Sequence, residues 1–455
     1  MENTRREGRE TLRLISQTRE LYFAGICGIS MAGLAHMAQA RGWRVRGCDR
    51  AAAGAQARAL LRAGIPVEAE DSPSPKGAGA MIYTTAVGKD SPAIRYARDN
   101  DIPLISRADL LAALMADFPT RIVVAGMHGK STTVGMLAAI LTEAGVSPTV
   151  SGGAPLTPGG DAYRIGEENV FLAEGCEYRD AFLSLSPTLA VVTNIDHDHP
   201  DYFPDLGAVK SSFLRFLLSS PSCVLGGDCQ ALSDIAPAGA VQFGYSSDCT
   251  LRGQDTAAGL AITHRGTELG TLTLAVTGRY NRENALAATA AALELGIPFP
   301  AIRNALHDFS GVGRRMEYQG LFQGARVFLD YAHHPTEISA ALGGIDAEGG
   351  RILCIYQPHT FTRTAALWEG FVSALGQADK TLLLDIYPAR EKPLPGITSA
   401  RLAAAAGADY APDFPAAVAW AKENAKPQDT LLIMGAGDIC QLADALAPKM
   451  PPRCT

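Results

Sequence analysis

Short runs of apolar residues recur along the chain, each stopped by a glycine or a charged group, and stretches of helical period lie between them. Leu21-Tyr22-Phe23-Ala24 stops at Gly25, as a buried parallel strand would. Ile29 to Arg41 follows with helical periodicity and ends at Gly42. Trp43 to Asp49 reads as a second strand, and Met81-Ile82-Tyr83 and Pro103-Leu104-Ile105 as later strands of the same sheet. A new unit opens at Pro119. There Arg121–Ala125 is a strand, a glycine-rich loop follows, and Thr132 to Ala144 is a helix. Val170–Ala173 and Leu189–Val192 are two further buried strands, and Ala285 to Leu295 is an alanine-rich helix.

Near Gly311-Val312-Gly313 the chain passes into a third unit that alternates again. Strands are expected at Ala325–Leu329, Arg351–Tyr356, Lys380–Ile386 and Thr430–Met434, with helices at Thr336–Leu342 and Ala365–Leu375. Alternation of strands and helices predicts an α/β protein of mostly parallel sheets, with ligands at the C-terminal ends of the strands. The expected units are 1–118, 119–316 and 317–455. The length of 455 residues agrees with three domains, at roughly 100–200 residues each.

Composition narrows the classes. The net charge is -7 and there is no basic tract, which argues against nucleic-acid binding. The nine cysteines have no CxxC spacing, as in a reducing compartment. No run is long and apolar enough to span a bilayer. The N-terminal charges Arg5, Arg6, Glu7, Arg9, Glu10 and Arg13 leave no room for the apolar core of a signal peptide. A cytoplasmic protein without membrane contact is expected.

Three segments carry chemistry. In Gly126-Met127-His128-Gly129-Lys130-Ser131-Thr132, glycines let backbone N–H groups converge on phosphate oxygens at a helix N-terminus. Lys130 reaches the β- and γ-phosphates, and the Ser131 hydroxyl suits Mg²⁺. The bland alternative is a chance Gly-Lys-Ser at a helix start. The preceding strand and the second glycine argue for phosphate binding, in a loop shorter than the general form.

The second segment, Gly25-Ile26-Cys27-Gly28-Ile29-Ser30-Met31, also joins a strand to a helix. Asp49 closes the next strand, the placement that holds a ribose beside a pyrophosphate. A tight turn without ligand, or an oxidoreductase with an unusual dinucleotide fingerprint, are the competing readings. In the third segment, Glu174 ends a strand and Thr193-Asn194-Ile195-Asp196-His197-Asp198-His199-Pro200-Asp201 follows the next one. Alone, such a run reads as a solvated loop. Two successive strands ending in ligand-type groups beside a phosphate loop point to a divalent ion, with room for a second. Cys176 reads as packing.

These segments together resemble the Mur ligases, over nearly the whole chain. Gly278-Arg279-Tyr280-Asn281-Arg282-Glu283-Asn284 resembles the family's adenine-side motif, and Arg314-Arg315 its hinge. Asp330-Tyr331-Ala332-His333-His334-Pro335-Thr336-Glu337 and Gln357-Pro358-His359-Thr360-Phe361-Thr362-Arg363-Thr364 resemble the branch that adds the first amino acid. The resemblance implies a Rossmann-like N-terminal domain, a central P-loop ATPase-type domain and a Rossmann-like C-terminal domain. It implies that ATP phosphorylates the lactyl carboxylate of UDP-N-acetylmuramate, and that L-alanine attacks the acyl phosphate.

The resemblance also assigns roles. Lys130, Glu174, His199 and Arg363 would be catalytic. Gly126 to Thr132, Asn281, Asn284, Arg315 and Asp330 would bind ATP. Gly25 to Met31, Asp49, Thr84, Thr85 and His128 would bind the UDP-sugar. Tyr331, His333 and Arg363 would face carboxylates, and Ser131, Glu174 and His199 would hold Mg²⁺, with Mn²⁺ as a substitute. A guanidinium fork suits a carboxylate; the bland reading of Arg363 is a surface charge. A monomer or homodimer is expected. Met127 and Ser131 depart from the usual phosphate loop, and Thr360 stands where many members have Arg. Lys210 lies near the position of a carbamylated lysine in some relatives. A muropeptide-recycling ligase is the nearest alternative, which the short Ser186-Pro187 connection disfavours. A catalytically silent nucleotide-binding regulator is a third.

Overall fold

The computed structural model describes residues 8–447 except 168, 201, 346 and 390. Arg5, Arg6, Glu7 and Asp201, and the end of the third expected unit, lie outside the described residues. Among these residues the strands form three sheets. The first has the order Val67–Ala69, Arg44–Asp49, Glu20–Ala24, Ala80–Tyr83, Leu104–Ser106, and every pairing is parallel. The chain reverses its winding beside Glu20–Ala24, so the loop from Gly25 sits at a switch point, where α/β sheets open a crevice.

The central sheet places Leu189–Val192, Thr120–Ala125 and Val170–Glu174 side by side and parallel. Their C-terminal ends deliver Gly126, Glu174 and Thr193 to one edge. Alternate residues face two cores. Val123 and Ala125 join a core shared with Leu111 and Met115 of the helix Arg107–Met115, while Ile122 and Val124 pack on Val134 and Leu137 of the helix Lys130–Glu143. This two-sided burial is why these strands read as unbroken apolar runs.

The C-terminal sheet runs Glu317–Phe322, Ala325–Asp330, Thr430–Met434, Ile352–Tyr356, Lys380–Leu383, Asp409–Tyr410. It is parallel except for the hairpin at Glu317–Phe322.

Several elements differ from the expectation. The central sheet ends in an antiparallel meander, Leu251–Thr256, Gly259–His264 and Thr267–Leu272. Only one face of it is covered, so its apolar residues alternate (Leu260 and Ile262 buried) instead of clustering. The alanine-rich helix starts at Arg279, not Ala285, because the polar first turn is capped by Gly278. The helix expected over 365–375 is two helices, Phe361–Ala366 and Trp368–Leu375, broken at Leu367. The strand from Lys380 ends at Leu383, and the next residues turn toward Tyr387, which pairs with His359.

Candidate active site

The loop after Ala125 is shaped by two glycines. Gly126 has φ +136° and Gly129 has φ +83°. A Cβ at the first would collide with Thr193 Oγ1, and at the second with Asn284 Oδ1. Thr193 Oγ1 donates to the His128 carbonyl at 2.6 Å, and the His128 N–H donates to Asn194 Oδ1 at 2.9 Å. Residues after the neighbouring strand therefore fix the loop backbone. Met127 is buried in the core shared with the first unit, a packing position.

Lys130 Nζ folds back onto the carbonyls of Gly126 (2.6 Å) and Met127 (3.0 Å) and lies 3.0 Å from Glu177 Oε2. Burial opposes its charge, but Glu177 and Glu174 more than offset this and raise its pKa. Burial likewise opposes ionisation of Glu177, yet Lys130 and His199 hold it at about 2. The ammonium is thus kept charged at the loop, where a phosphate oxygen can replace the carbonyls.

Ser131 Oγ donates to Glu174 Oε2 at 2.8 Å, and the Gly153 N–H donates to the same oxygen at 2.9 Å. Two ligands of an octahedral Mg²⁺ at about 2.1 Å stand about 3 Å apart. The hydroxyl and carboxylate therefore fit adjacent corners of such a shell, and both are the oxygen donors a hard cation takes. His199 Nε2 lies 3.3 Å from Glu177 Oε1, and its ring packs 4.8 Å from Tyr178. His199 has φ +55°.

The rest of its segment is committed elsewhere. His197 Nε2 is 3.2 Å from the Phe203 carbonyl, Asp196 faces His128 and Thr336, and Asp198 is taken by Arg363. His128, Asp196 and His334 offer ligand atoms within 4.8 Å of one another. However, His334 Nδ1 accepts the Thr336 N–H at 3.3 Å, which puts the ring proton on Nε2. His128 and Asp196 are paired with each other, and the protonated His334 Nε2 is buried without a partner among the described residues, so the set offers no three ligand atoms to an ion. Lys210 is paired with Asp234 at 2.6 Å.

Arg363 is 7 % exposed, so it is no surface charge. Its Nε and Nη2 hold Asp198 at 3.0 and 3.3 Å, and Nη1 is 3.3 Å from His359 Nδ1. The ion pair joins the C-terminal unit to the central one. Burial opposes ionisation of Asp198, but Arg363 holds its carboxyl well below the usual range. Thr360 precedes this helix with φ +68°, and its N–H donates to Tyr387 O at 2.9 Å.

Burial pushes His333 down to about 4, and its Nδ1 lies 3.0 Å from the Tyr331 carbonyl. The Tyr331 ring is flanked by Arg314 and Arg315, at 4.8 and 5.2 Å. Asp330 accepts the Met316 and Ala332 N–H groups at 2.8 and 2.7 Å, bracing the turn between the units.

Beside the phosphate loop lies a cavity of about 690 Å³. His128, Gly129, Thr132, Asn281, Asn284, Arg315 and Asp330 line it, with Phe243, Val276, Phe328 and Ile345 as apolar walls. Apolar walls with a few converging polar groups suit a flat base ending in a phosphate chain.

In the first unit, Asp49 accepts the Cys27 and Ala51 N–H groups at 2.8 and 2.9 Å, so both its oxygens organise the loop. Ile26 and Met31 are buried in the core beneath the loop, which is a packing role. Gly28 opens the helix and Ile29 is exposed. Thr84 Oγ1 accepts from Ala86, and Thr84 packs against Gly25 with Thr85 next along the turn. Arg107, absent from the sequence reading, donates to Ser30 Oγ at 3.3 Å. Glu177 lies just beyond Glu174, and Asp198 and Glu337 belong to the segments quoted above, but none has an individual role there. Their local signals were a strand end, a polar loop and a helix first turn.

A lysine in a glycine loop at a helix start, a Ser–carboxylate pair and an arginine reaching in from the third unit are the arrangement of an ATP-dependent ligase. Three family descriptions match: "Mur ligase family, catalytic domain" over 20–119, "Mur ligase middle domain" over 124–292 and "Mur ligase, glutamate ligase domain" over 314–437. The chain belongs to the Mur ligase family.

Within it, the chain is 36 % identical over 443 residues to a UDP-N-acetylmuramate–L-alanine ligase of Desulfosudis oleivorans, covering 93 % of this chain and 97 % of the relative. The solved UDP-N-acetylmuramate-alanine ligase of Thermotoga maritima superposes with a TM-score of 0.78 at 25 % identity, covering 94 % and 98 %. A murein peptide ligase of Psychrobacter arcticus shares the fold, with a TM-score of 0.73 at 23 % identity, covering 95 % and 100 %. No described helix is long and apolar enough to cross a membrane.

Proposed function

We propose that the chain joins L-alanine to the lactyl carboxylate of UDP-N-acetylmuramate, at the expense of ATP. The carboxylate oxygen attacks the γ-phosphorus, the bond to the β-phosphate oxygen breaks, and ADP leaves. The neutral alanine amine then attacks the acyl carbon, the carbon–oxygen bond to phosphate breaks, and phosphate departs as the nitrogen loses a proton and the amide forms. The observation that carries this reading is the meeting of Lys130, Ser131 and Glu174 beyond two adjacent strands, with Arg363 held on Asp198 beyond the third.

Two anions must meet for the first step. Lys130 offsets their repulsion at the phosphate side, and the loop N–H groups add to it. Ser131, Glu174 and His199 would hold Mg²⁺, which neutralises charge on the phosphate oxygens when bound. Arg363, held by Asp198 through Nε and Nη2, keeps further N–H donors for a substrate carboxylate. Asn281, Asn284 and Arg315 serve the nucleotide, and the loop from Gly25 with Asp49 and Thr84 serves the UDP-sugar.

The test is phosphate release with Mg·ATP, UDP-N-acetylmuramate and a panel of amino acids, with a free L-alanyl peptide as one arm. Release that requires both UDP-N-acetylmuramate and L-alanine supports the reading. Release only with the preformed peptide would replace it by a recycling ligase.

A further inference from the structure

His128 has a carboxylate on each ring nitrogen. Asp196 Oδ2 lies 3.4 Å from Nε2, and Glu337 Oε1 lies 3.2 Å from Nδ1. Asp196 follows a strand of the central sheet. Glu337 comes from the C-terminal unit, in the first turn of the helix Pro335–Gly344. An ionised carboxylate only accepts hydrogen bonds, and a neutral imidazole has one N–H. Both contacts are satisfied together only by the imidazolium.

The surroundings are asymmetric. The His128 backbone is held wholly by Thr193 and Asn194 of its own unit, through the 2.6 and 2.9 Å bonds above and a 3.0 Å bond from Asn194 Nδ2. Its ring alone reaches across the seam. Glu337 is built to receive it: its other oxygen accepts the His333 N–H at 3.0 Å, and Arg315 Nη1 lies 3.7 Å from Oε1. Thr336 Oγ1 donates to Asp196 Oδ2 at 3.1 Å and closes the same seam.

We propose that Glu337 is a positioning residue whose carboxylate, on docking of the C-terminal unit, completes a His128 imidazolium inside the phosphate loop. The loop then has two cations, Lys130 and His128, only in the docked enzyme. Phosphoryl transfer is thereby tied to the state in which Arg363 is also in place, and ATP in the undocked enzyme meets a weaker field. This rests on the reading of the loop as the ATP site.

The groups facing His128 are Asp196, Glu337, Lys130 and His334, whose ring centroid is 5.0 Å away. Burial and Lys130 push the imidazole down, while Asp196 and Glu337 carry it up to about 9. Burial pushes His334 down, so it stays neutral near pH 7. Without Glu337, Asp196 alone opposes burial and Lys130, and the proton is lost at lower pH.

The experiment compares wild type, Glu337→Gln, Glu337→Asp and His128→Gln across pH 6–10. It reads kcat and KM for phosphate release and, separately, Mg·ADP affinity by calorimetry. Wild type should keep kcat up to about pH 9 and then decline. Glu337→Gln should move that decline down by about one to three pH units. Glu337→Asp should restore part of the shift. His128→Gln should lower kcat about 10²-fold and abolish this limb.

An alkaline limb that is the same in wild type and Glu337→Gln, in both kcat and Mg·ADP affinity, would overturn the proposal. So would a loss of folded protein in Glu337→Gln together with an alkaline limb that survives unchanged in His128→Gln. If wild type released no phosphate with any acceptor, the ligase reading would fail, while the pH dependence of Mg·ADP affinity would still decide on Glu337.

Discussion

Arg363 grips Asp198 with Nε and Nη2 at 3.0 and 3.3 Å, across 165 positions of sequence and the seam between two units. Both side chains are less than a tenth exposed. Removing one partner of such a pair leaves a buried charge unpaired and costs about 3–5 kcal/mol. Asp198→Ala should therefore loosen the C-terminal unit, seen as faster amide exchange in 361–366, and raise KM for UDP-N-acetylmuramate. Arg363→Lys keeps the charge but loses the fork, and should cost less in stability than in turnover. Equal, small effects of both would contradict the assignment.

Lys130→Ala should abolish phosphate release, by at least about 10²-fold. It should leave UDP-N-acetylmuramate affinity intact, since that ligand is assigned to another sheet. Because the change also strands Glu177, the double variant Lys130→Ala/Glu177→Gln separates folding from chemistry. It should regain stability without regaining activity, by thermal melting and phosphate assay.

Strain at the loop can be told from simple glycine loss. Gly145 has φ +78° with open space around its Cβ, whereas Gly126 and Gly129 have positive φ and a side-chain oxygen in the way. Gly145→Ala should cost about 1 kcal/mol. Gly126→Ala and Gly129→Ala should cost more and should weaken Mg·ADP binding, which calorimetry reads directly. Unaltered ADP affinity in both would count against this loop as the phosphate site.

The Glu177 contacts set a pH window. Its folded pKa, about 2, is below the unfolded value of about 4.3. The stability it contributes is complete above that unfolded value and is lost as pH falls through the folded one. The Tm difference between wild type and Glu177→Gln should thus be flat above about pH 5 and shrink below it. A difference that grows toward acid would reverse the sign and refute the ion pair.

Much of the central site was legible because parallel strands buried on both faces announce themselves, and their ends must converge. Val124, Ala173 and Val192 are such residues, and Gly126, Glu174 and Thr193 follow from them. The one-faced meander around Leu260 and Ile262 escaped notice because its signal is alternation within a polar run. The pairings of Asp198 with Arg363 and of His128 with Glu337 could not be read at all. They depend on how the third unit docks, and no local pattern encodes that distance. Glu337 looked like an ordinary acidic residue in a helix first turn, where it also suits the dipole.

The central claim is that the carboxylate itself is phosphorylated. UDP-N-acetylmuramate labelled with ¹⁸O in the lactyl carboxylate, incubated with Mg·ATP and L-alanine, tests it by mass spectrometry of the products. The account predicts ADP as the nucleotide product and one labelled oxygen transferred to each released phosphate. Unlabelled phosphate, or label recovered in AMP, would contradict it.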